Sequence, residues 1–189
     1  MSGGERQRAA RAGMPSKVLG NGLRELDRFL SVLIDEVAEA TGIEDAALAT
    51  LRTRRNTANK LRTLHAALGR TSPDHRRLLA LGRSRDCFFY CGGLVRRGDS
   101  RAGSSMTTGW PRRSTALKAG LMTFPLGSRL QLDRADLDDI CRFYDRIADE
   151  LLTHTRVVAV RNDALPSKSV AFSRDRAHIS LAIVACDGL

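Results

Sequence analysis

Residues 133–152 read DRADLDDICRFYDRIADELL and contain the clearest helical pattern in the chain. Asp133 and Asp136 stand three residues apart, the spacing at which two polar side chains cap the free amides of a helix N-terminus. Apolar residues then recur at steps of three and four, which places them on one side of a helix: Leu137, Ile140, Tyr144, Ile147 and Leu151. The stretch therefore predicts a helix with one buried face, and other helices are needed to cover that face.

Two more helices are predicted in the first third of the chain. The first begins at Asn21, carries leucines at alternating three- and four-residue steps, and stops at Gly42. The second covers residues 44–68 and is followed by Gly69, although arginines interrupt its apolar stripe in the middle. Each of these helices has one apolar side and needs a partner along its length.

Another helix is predicted between the Ser72–Pro73 pair, a favourable helix start, and the Gly92–Gly93 break. Residues 96–131 contain glycines, two prolines and scattered arginines, so an irregular connection is expected there, with short strands such as Leu130–Leu132. The predicted fold is mainly α: a four-helix bundle with an irregular insertion before the last helix and a short extended C-terminal appendage.

The chain is predicted to contain one domain with two appendages. Residues 1–20 are rich in Gly, Ser, Ala and Arg without a sustained period and are predicted to form a mobile basic tail. Residues 21–155 form the helical bundle domain. Residues 156–189 form the extended appendage, because RVVAVR at 156–161 and ISLAIVA at 179–185 are β-branched apolar runs. A hairpin, a docked tail and disorder all fit this last segment.

The composition points to a protein that does not enter a membrane. With 189 residues the chain is long enough for one full core. No apolar run approaches the roughly 18 residues that span a bilayer, and no apolar signal-peptide core follows the basic N-terminus. We therefore expect a cytoplasmic protein whose four cysteines are free thiols.

The sequence gives no sign of a metal or a cofactor. Cys87 and Cys91 are four residues apart, but the four histidines show no paired spacing to complete a zinc site, so buried thiols are expected. No phosphate-binding loop, dinucleotide fingerprint or nucleophile elbow is present. The Trp110–Pro111 pair is interpreted either as a surface anchor or as part of the core.

Basic charge is concentrated in the middle of the chain. The formal net charge is +10, and the stretch from Arg52 to Arg85 holds ten basic residues and one acid, Asp74. By contrast, residues 133–150 hold seven acids and three arginines. A concentrated basic surface binds polyanions by releasing counterions from phosphates, so RNA or DNA is the partner to test. The alternative is a solvated arginine-rich helix face without a partner.

One arginine falls on an apolar face. Arg85, in the stretch RSRDCFFYCGG at 83–93, lies in the apolar register between Leu81 and Phe88, and a guanidinium held there must find an anion or acceptors. The string from Arg85 to Cys91, followed by the acid-capped helix after it, resembles the motif of the HEPN superfamily. That motif has an arginine, usually a polar residue after it, and a histidine five to seven positions beyond the arginine.

The resemblance implies metal-independent RNA cleavage in a cleft between two protomers. The candidate catalytic residues are then Arg85, Asp86 and Tyr90. Arg85 would stabilise the phosphorane. Tyr90 stands where the family has histidine, and a tyrosine hydroxyl is a far weaker base than an imidazole at neutral pH, which points to weakened or lost cleavage. Asp86 stands where the family has a neutral residue and could neutralise Arg85.

Further residues are predicted to contact nucleic acid. Arg55, Asn56 and His65 could line one anion pocket with Arg85, or the arginines could extend to the rim of the bundle while His65 is half-buried. The full set of nucleic-acid-binding candidates is Arg52, Arg54, Arg55, Asn56, Arg62, His65 and Arg83.

The sequence therefore predicts an RNA-associated, HEPN-like homodimer with a degenerate site. A protein–protein interaction module, of a dimerisation or antitoxin-like kind, is the alternative. In that case the acidic first and last helices and the basic middle would be complementary faces for a protein partner or for a second copy. Sequence-specific DNA binding has no support, since no helix-turn-helix with a clear recognition helix is present.

Overall fold

A computed structural model describes residues 15–111 and 121–163 of the chain, with side chains through residue 155. Five helices and two strands lie in these ranges: α1 Ser16–Ala40, α2 Asp45–Thr53, α3 Thr57–Ala67, α4 His75–Cys91, β1 Ser105–Pro111, β2 Leu121–Pro125 and α5 Arg134–Asp163. The mainly helical fold class is confirmed. The predictions for residues 1–14 and for ISLAIVA at 179–185 lie outside the described ranges.

The first helix begins earlier than predicted. α1 starts at Ser16, five residues before Asn21, so residues 16–20 belong to the fold and not to a tail. The reason is tertiary packing, because Leu19 is buried and Gly20 lies directly against the backbone of Phe89 in α4. A Cβ on Gly20 would come within 2.8 Å of the Phe89 backbone nitrogen, so only glycine permits this approach.

The second predicted helix is two helices, so the described ranges hold five helices in place of the predicted four. The chain turns extended at Arg54, with ψ of 118°, and the Asn56 side chain accepts a hydrogen bond of 3.2 Å from the Asn59 amide to cap α3. An asparagine side chain can accept hydrogen bonds from nearby backbone amides, which favours a helix start over the interior of a helix. At Asn56 the side chain caps a new helix, and the preceding helix does not continue. The break separates Leu51 at the end of α2 from the buried side of α3.

The boundaries of α4 and α5 correct two further predictions. α4 begins at His75 and not at the Ser72–Pro73 pair, whereas its predicted stop is confirmed by Gly92 in the left-handed conformation, with φ of 59°. α5 continues to Asp163, so residues 156–161 are helical and not extended. Extending an existing helix avoids the nucleation cost, which outweighs the modest helix penalty of a few β-branched residues.

The predicted irregular insertion contains an antiparallel hairpin. β1 pairs with β2 through Ser105–Pro125, Met106–Phe124 and Thr107–Thr123, and the register becomes irregular before Pro111–Leu121. The strands do not include the predicted Leu130–Leu132, although Leu130 is buried. Trp110 is completely buried and stacks on Phe88 with ring centroids 6.2 Å apart, so it belongs to the core.

α4 lies at the centre of the packing. It contacts α1 on one side and β1 on another, while α1 also packs on α3 and α5. The short helix α2 contributes one buried side chain, Leu51, to the core. The other four helices contribute several large side chains each: Leu30, Ile34, Leu61, Leu64, Leu78, Leu81, Ile140 and Ile147. None of the helices in the described ranges has the length and apolarity that crossing a membrane requires.

Candidate nucleic-acid interface

Arg85 is held by two carboxylates of its own chain. Its Nη1 donates to Asp27 Oδ2 in α1 at 2.5 Å, and its Nε donates to the adjacent Asp86 Oδ1 at 3.0 Å. The Arg85 side chain is 25% exposed and that of Asp27 is 17% exposed. The sequence predicted correctly that this guanidinium lies toward the apolar side of the helix, and the structure supplies its partner from 58 residues away.

The surroundings of Arg85 are those of an ion pair between helices. Burial opposes the charge of Arg85, but Asp27 and Asp86 outweigh burial and keep the pKa of Arg85 above its ordinary value. Burial raises the pKa of Asp27, and the charge of Arg85 offsets only part of that effect. Burial, with Asp27 nearby, also raises the pKa of Tyr144 in α5. The cluster therefore ties α1 to α4 beside α5.

Tyr90 lies apart from this cluster. Five residues along an α-helix correspond to roughly 140° of rotation, so Tyr90 and Arg85 lie on different sides of α4. Tyr90 is 76% exposed and contacts Phe89 edge-on with ring centroids 4.8 Å apart. Of the three catalytic candidates, the structure thus brings together Arg85 and Asp86 and leaves Tyr90 in solvent.

Tertiary ion pairs neutralise half of the central basic charge. Of the ten basic residues from Arg52 to Arg85, five pair with carboxylates: Arg52–Glu39, Lys60–Asp35, Arg77–Asp139, Arg83–Asp99 and Arg85–Asp27. Three of those carboxylates lie on α1 and one on α5. The complementarity between the basic middle and the acidic first and last helices is therefore used within one chain.

The other five arginines of the stretch form no salt bridge with any residue in the described ranges. Arg54 and Arg55 lie exposed in the connection before α3, Arg62 is exposed on α3, and Arg76 is exposed at the start of α4. The fifth, Arg70, lines a groove of about 690 Å³ together with both acids and arginines of α5. That groove is mixed in sign and does not favour an anion.

A hydrogen bond joins the starts of α3 and α4. His75, the first residue of α4, lies with its Nε2 3.0 Å from Asn59 Oδ1 in the first turn of α3. Arg62 is close enough to His75 that its charge adds to burial in lowering the pKa of that imidazole. We call the basic residues on and directly before these two helix starts, together with Arg62, the basic surface: Arg54, Arg55, Arg62, His75 and Arg76.

The predicted nucleic-acid-binding residues separate into two groups. Arg54, Arg55 and Arg62 belong to the basic surface. The others have roles within the fold: Asn56 caps α3, His65 is buried, Arg52 pairs with Glu39 at 2.8 Å, and Arg83 pairs with Asp99 at 3.0 Å. The exposed Arg52–Glu39 pair is weak enough for a competing anion to displace it.

Sequence reasoning missed His75 and Arg76. Both residues follow the Ser72–Pro73 pair in the sequence, but no local pattern relates them to the first turn of α3. Only the fold places the starts of α3 and α4 beside each other.

Lowering the pH should destabilise the fold through its buried histidine. Burial, followed by the charge of Arg70, lowers the pKa of His65 below 6.5, while Glu150 and Asp74 act in the opposite sense. In the acid range the unfolded chain therefore binds more protons at this site than the folded chain, so stability is lost as the pH falls below 6.5. His75 contributes in the same direction. Urea unfolding at about pH 7.5 and about pH 5.5 measures the loss.

Two variants separate the contributions of these histidines. His65→Gln should flatten the pH dependence more than His75→Gln, because His65 is buried and His75 is partly exposed. An unfolding free energy that stays constant over this pH range in the native protein would contradict the assignment. Asp27 acts in the opposite sense: because its folded pKa is raised above 3.8, its protonation favours the folded state as the pH approaches that value.

The described residues contain no group of three His, Cys, Asp or Glu side chains that could hold a metal ion. Cys87 is buried, and burial raises the pKa of its thiol to about 11, so it stays protonated at neutral pH.

Comparisons of the chain with protein-family models, with curated proteins and with solved structures give no match.

Proposed function

We propose that the protein binds single-stranded RNA through the phosphate backbone, without cleaving it. The observation that carries this proposal is the basic surface: four arginines with no carboxylate partner among the described residues, gathered where α3 and α4 begin. Unpaired guanidiniums are the groups that release counterions from phosphates and form bidentate contacts with them. The HEPN resemblance implies the same class of partner.

The state of Arg85 favours binding over cleavage. A cation that stabilises a phosphorane must be free to approach the phosphate, and Arg85 would first have to leave both Asp27 and Asp86. Tyr90 lies on another side of the helix and is not positioned to act on the same phosphate as Arg85. The proposed function therefore keeps the RNA partner that the HEPN resemblance implies but not the cleavage reaction.

The binding should depend strongly on salt. If the four arginines of the basic surface each neutralise one phosphate of a single strand, log K should fall against log salt with a slope of about −3. Fluorescence anisotropy of a labelled single-stranded RNA, titrated with the full-length protein at several salt concentrations, measures this slope.

A pair of double variants tests the location of the interface. Arg55→Gln/Arg62→Gln removes two charges from the basic surface, and we expect about tenfold weaker binding and a slope that is shallower by about 1.4. The matched control is Arg96→Gln/Arg97→Gln, which removes the same charge from two exposed positions after α4. The control should change the slope by less than half as much.

Two results would overturn this proposal. Equal losses in both double variants would mean that only net charge matters and that the basic surface has no special role. Shortening of the RNA in the absence of divalent metal, abolished by Tyr90→Phe, would instead support the ribonuclease function. Tyr90→Phe is a fair test because it removes only an exposed hydroxyl.

A protein-interaction role is the second candidate, and one observation favours it. Val18, Phe29 and Val32 are large apolar residues on α1, and each is about half exposed. Exposed apolar residues aligned along one helix are a common feature of protein interfaces.

A further inference from the structure

The outer face of α1 carries the spacing of a helix-pairing surface. Val18, Gly22, Glu25, Phe29, Val32 and Glu36 follow one another at steps of four and three residues, which keeps them on one side of the helix. All six are exposed, and they lie opposite the side that packs into the core through Leu23, Leu30 and Ile34. We call this set the α1 outer face.

Gly22 has no role that the packing of a single chain explains. Glycine is the least favourable residue in a helix interior after proline, and a Cβ at Gly22 would meet nothing within 4 Å. By contrast, Gly20 is required by Phe89. Gly82 in α4 also has open space, but Leu78 is buried one turn before it and Asp86 pairs with Arg85 one turn after it. Among the glycines inside the described helices, only Gly22 has open space around it and exposed apolar residues one turn away on the same side.

The charges along α1 specify the orientation of a partner helix. The first half holds Lys17, Arg24, Glu25 and Arg28 as exposed charges, and the second half holds Glu36, whereas Asp27, Asp35 and Glu39 are paired within the chain. Antiparallel pairing of two copies brings the basic start of each helix toward Glu36 of the partner subunit.

One register satisfies the apolar and the charged residues together. In an antiparallel pair centred on Glu25, Val18 lies opposite Val32 of the partner subunit, and Gly22 lies within one residue of the position opposite Phe29 of the partner subunit. The same register places Lys17 one turn from Glu36 of the partner subunit and Arg28 one turn from Glu25 of the partner subunit. Lys17, Glu25, Arg28 and Glu36 are exposed and form no ion pair with any described residue.

We propose that the α1 outer face is the docking surface for a second copy of this chain, bound antiparallel about a two-fold axis at Glu25. Because Gly22 has no side chain, it leaves the space in which the Phe29 ring of the partner subunit packs. The two Glu25 side chains face each other at the axis, and each is balanced by Arg28 of the other copy. This proposal does not depend on RNA binding, since the basic surface and the α1 outer face share no residue.

The dimer should depend on concentration. Two facing helix stripes bury less than the roughly 800 Å² per partner of a standard complex, so the affinity should lie in the micromolar range. Sedimentation equilibrium of the full-length protein over a hundredfold range of concentration should follow a monomer–dimer equilibrium. A single monomeric species at every concentration up to about a millimolar would overturn the proposal.

Substitutions at Phe29 and Gly22 test the surface. Phe29→Glu should weaken association at least tenfold, whereas the control Leu126→Glu, at an equally exposed leucine after β2, should leave it unchanged. Gly22→Leu should raise the melting temperature of the monomer, because it removes a glycine from a helix, and should weaken association, because it fills the space in which the Phe29 ring of the partner subunit packs. Stabilisation without any effect on association would contradict the role assigned to Gly22.

Cysteine cross-linking tests the register. Glu25→Cys places two thiols at the two-fold axis, so the variant should form a disulfide-linked dimer faster than the native protein does. Glu36→Cys should not cross-link faster than the native protein, because the two copies of residue 36 would be roughly 33 Å apart along the helices. Faster cross-linking of both variants would indicate parallel pairing and overturn the antiparallel arrangement.

Discussion

Arg85→Met should lower the free energy of unfolding by about 3 kcal/mol, near the lower end of what breaking a buried ion pair costs. The substitution keeps most of the side-chain volume of Arg85 and removes the guanidinium that contacts Asp27 and Asp86. In the variant the Asp27 carboxylate stays largely buried, but it has lost the charge of Arg85, which in the native protein offsets part of the cost of burying it. Urea unfolding followed by circular dichroism measures the loss.

A double-mutant cycle separates the ion pair from the rest of the effect. Removing the stranded carboxylate as well, in Asp27→Asn/Arg85→Met, should recover about half of the lost stability, since the penalty arises mainly from the unpaired charge. Arg76→Met is the matched control, because Arg76 lies on the same helix, is exposed and pairs with no described residue. That variant should stay within about 0.5 kcal/mol of the native protein.

The result also bears on function. Holding an arginine in a position that catalysis requires usually lowers the stability of the fold, so replacing such a residue leaves the free energy of unfolding unchanged or raises it. Arg85→Met as stable as the native protein would therefore contradict the structural role of the ion pair and return Arg85 to the list of catalytic candidates. A loss of about 3 kcal/mol would support its role as a link between α1 and α4.

Local patterns predicted the parts of the fold that depend on local chemistry. The capping of α5 is confirmed: the Asp133 amide donates to Asp136 Oδ2 at 3.1 Å, and the Asp136 amide donates to Asp133 Oδ1 at 2.9 Å. Every residue of its predicted stripe except Leu137 is fully buried. Caps and stripes are set within a few residues, so the sequence contains the information needed to find them.

The parts that the sequence did not predict depend on distant contacts. Asn56 could continue a helix or cap the next one, and nothing within its neighbours decides between the two. The hairpin joins residues up to 20 positions apart, as in the Ser105–Pro125 pair. The extension of α1 to Ser16 depends on Phe89, more than 70 residues away. In each case the deciding partner is far along the chain.

The candidate site shows the same limit. The charge count from Arg52 to Arg85 identifies a region of basic residues but does not show which of them pair with carboxylates in the folded chain. Lys60 and Arg85 look equally available in the sequence, yet both are neutralised by α1. Arg62 is not, and this difference decides which of them can bind phosphate. A local excess of charge predicts a polyanion site only after tertiary ion pairs are subtracted.

Trp110→Ala should lower the free energy of unfolding by about 3–5 kcal/mol, the usual cost of removing a large buried aromatic side chain. Trp110 is completely buried and stacks on Phe88, and it follows Gly109, which lies against Leu81 so closely that a Cβ would be 2.0 Å from Leu81 Cγ. The hairpin can thus approach α4 no further, and the helix cannot shift to fill the space that the indole leaves. The cavity should stay open, which places the cost at the upper end of this range.

The design of this experiment follows from the composition of the chain. Trp110 is the only tryptophan, so unfolding of the variant must be followed by far-ultraviolet circular dichroism and not by intrinsic fluorescence. Tyr90→Ala is the matched control, since it also removes an aromatic ring but from a side chain that is 76% exposed, and it should cost less than about 1 kcal/mol. The indole Nε1 has no hydrogen-bond partner among the described residues, so Trp110→Phe should cost less than half as much as Trp110→Ala. Equal stabilities of Trp110→Ala and Tyr90→Ala would mean that the hairpin does not form part of the core.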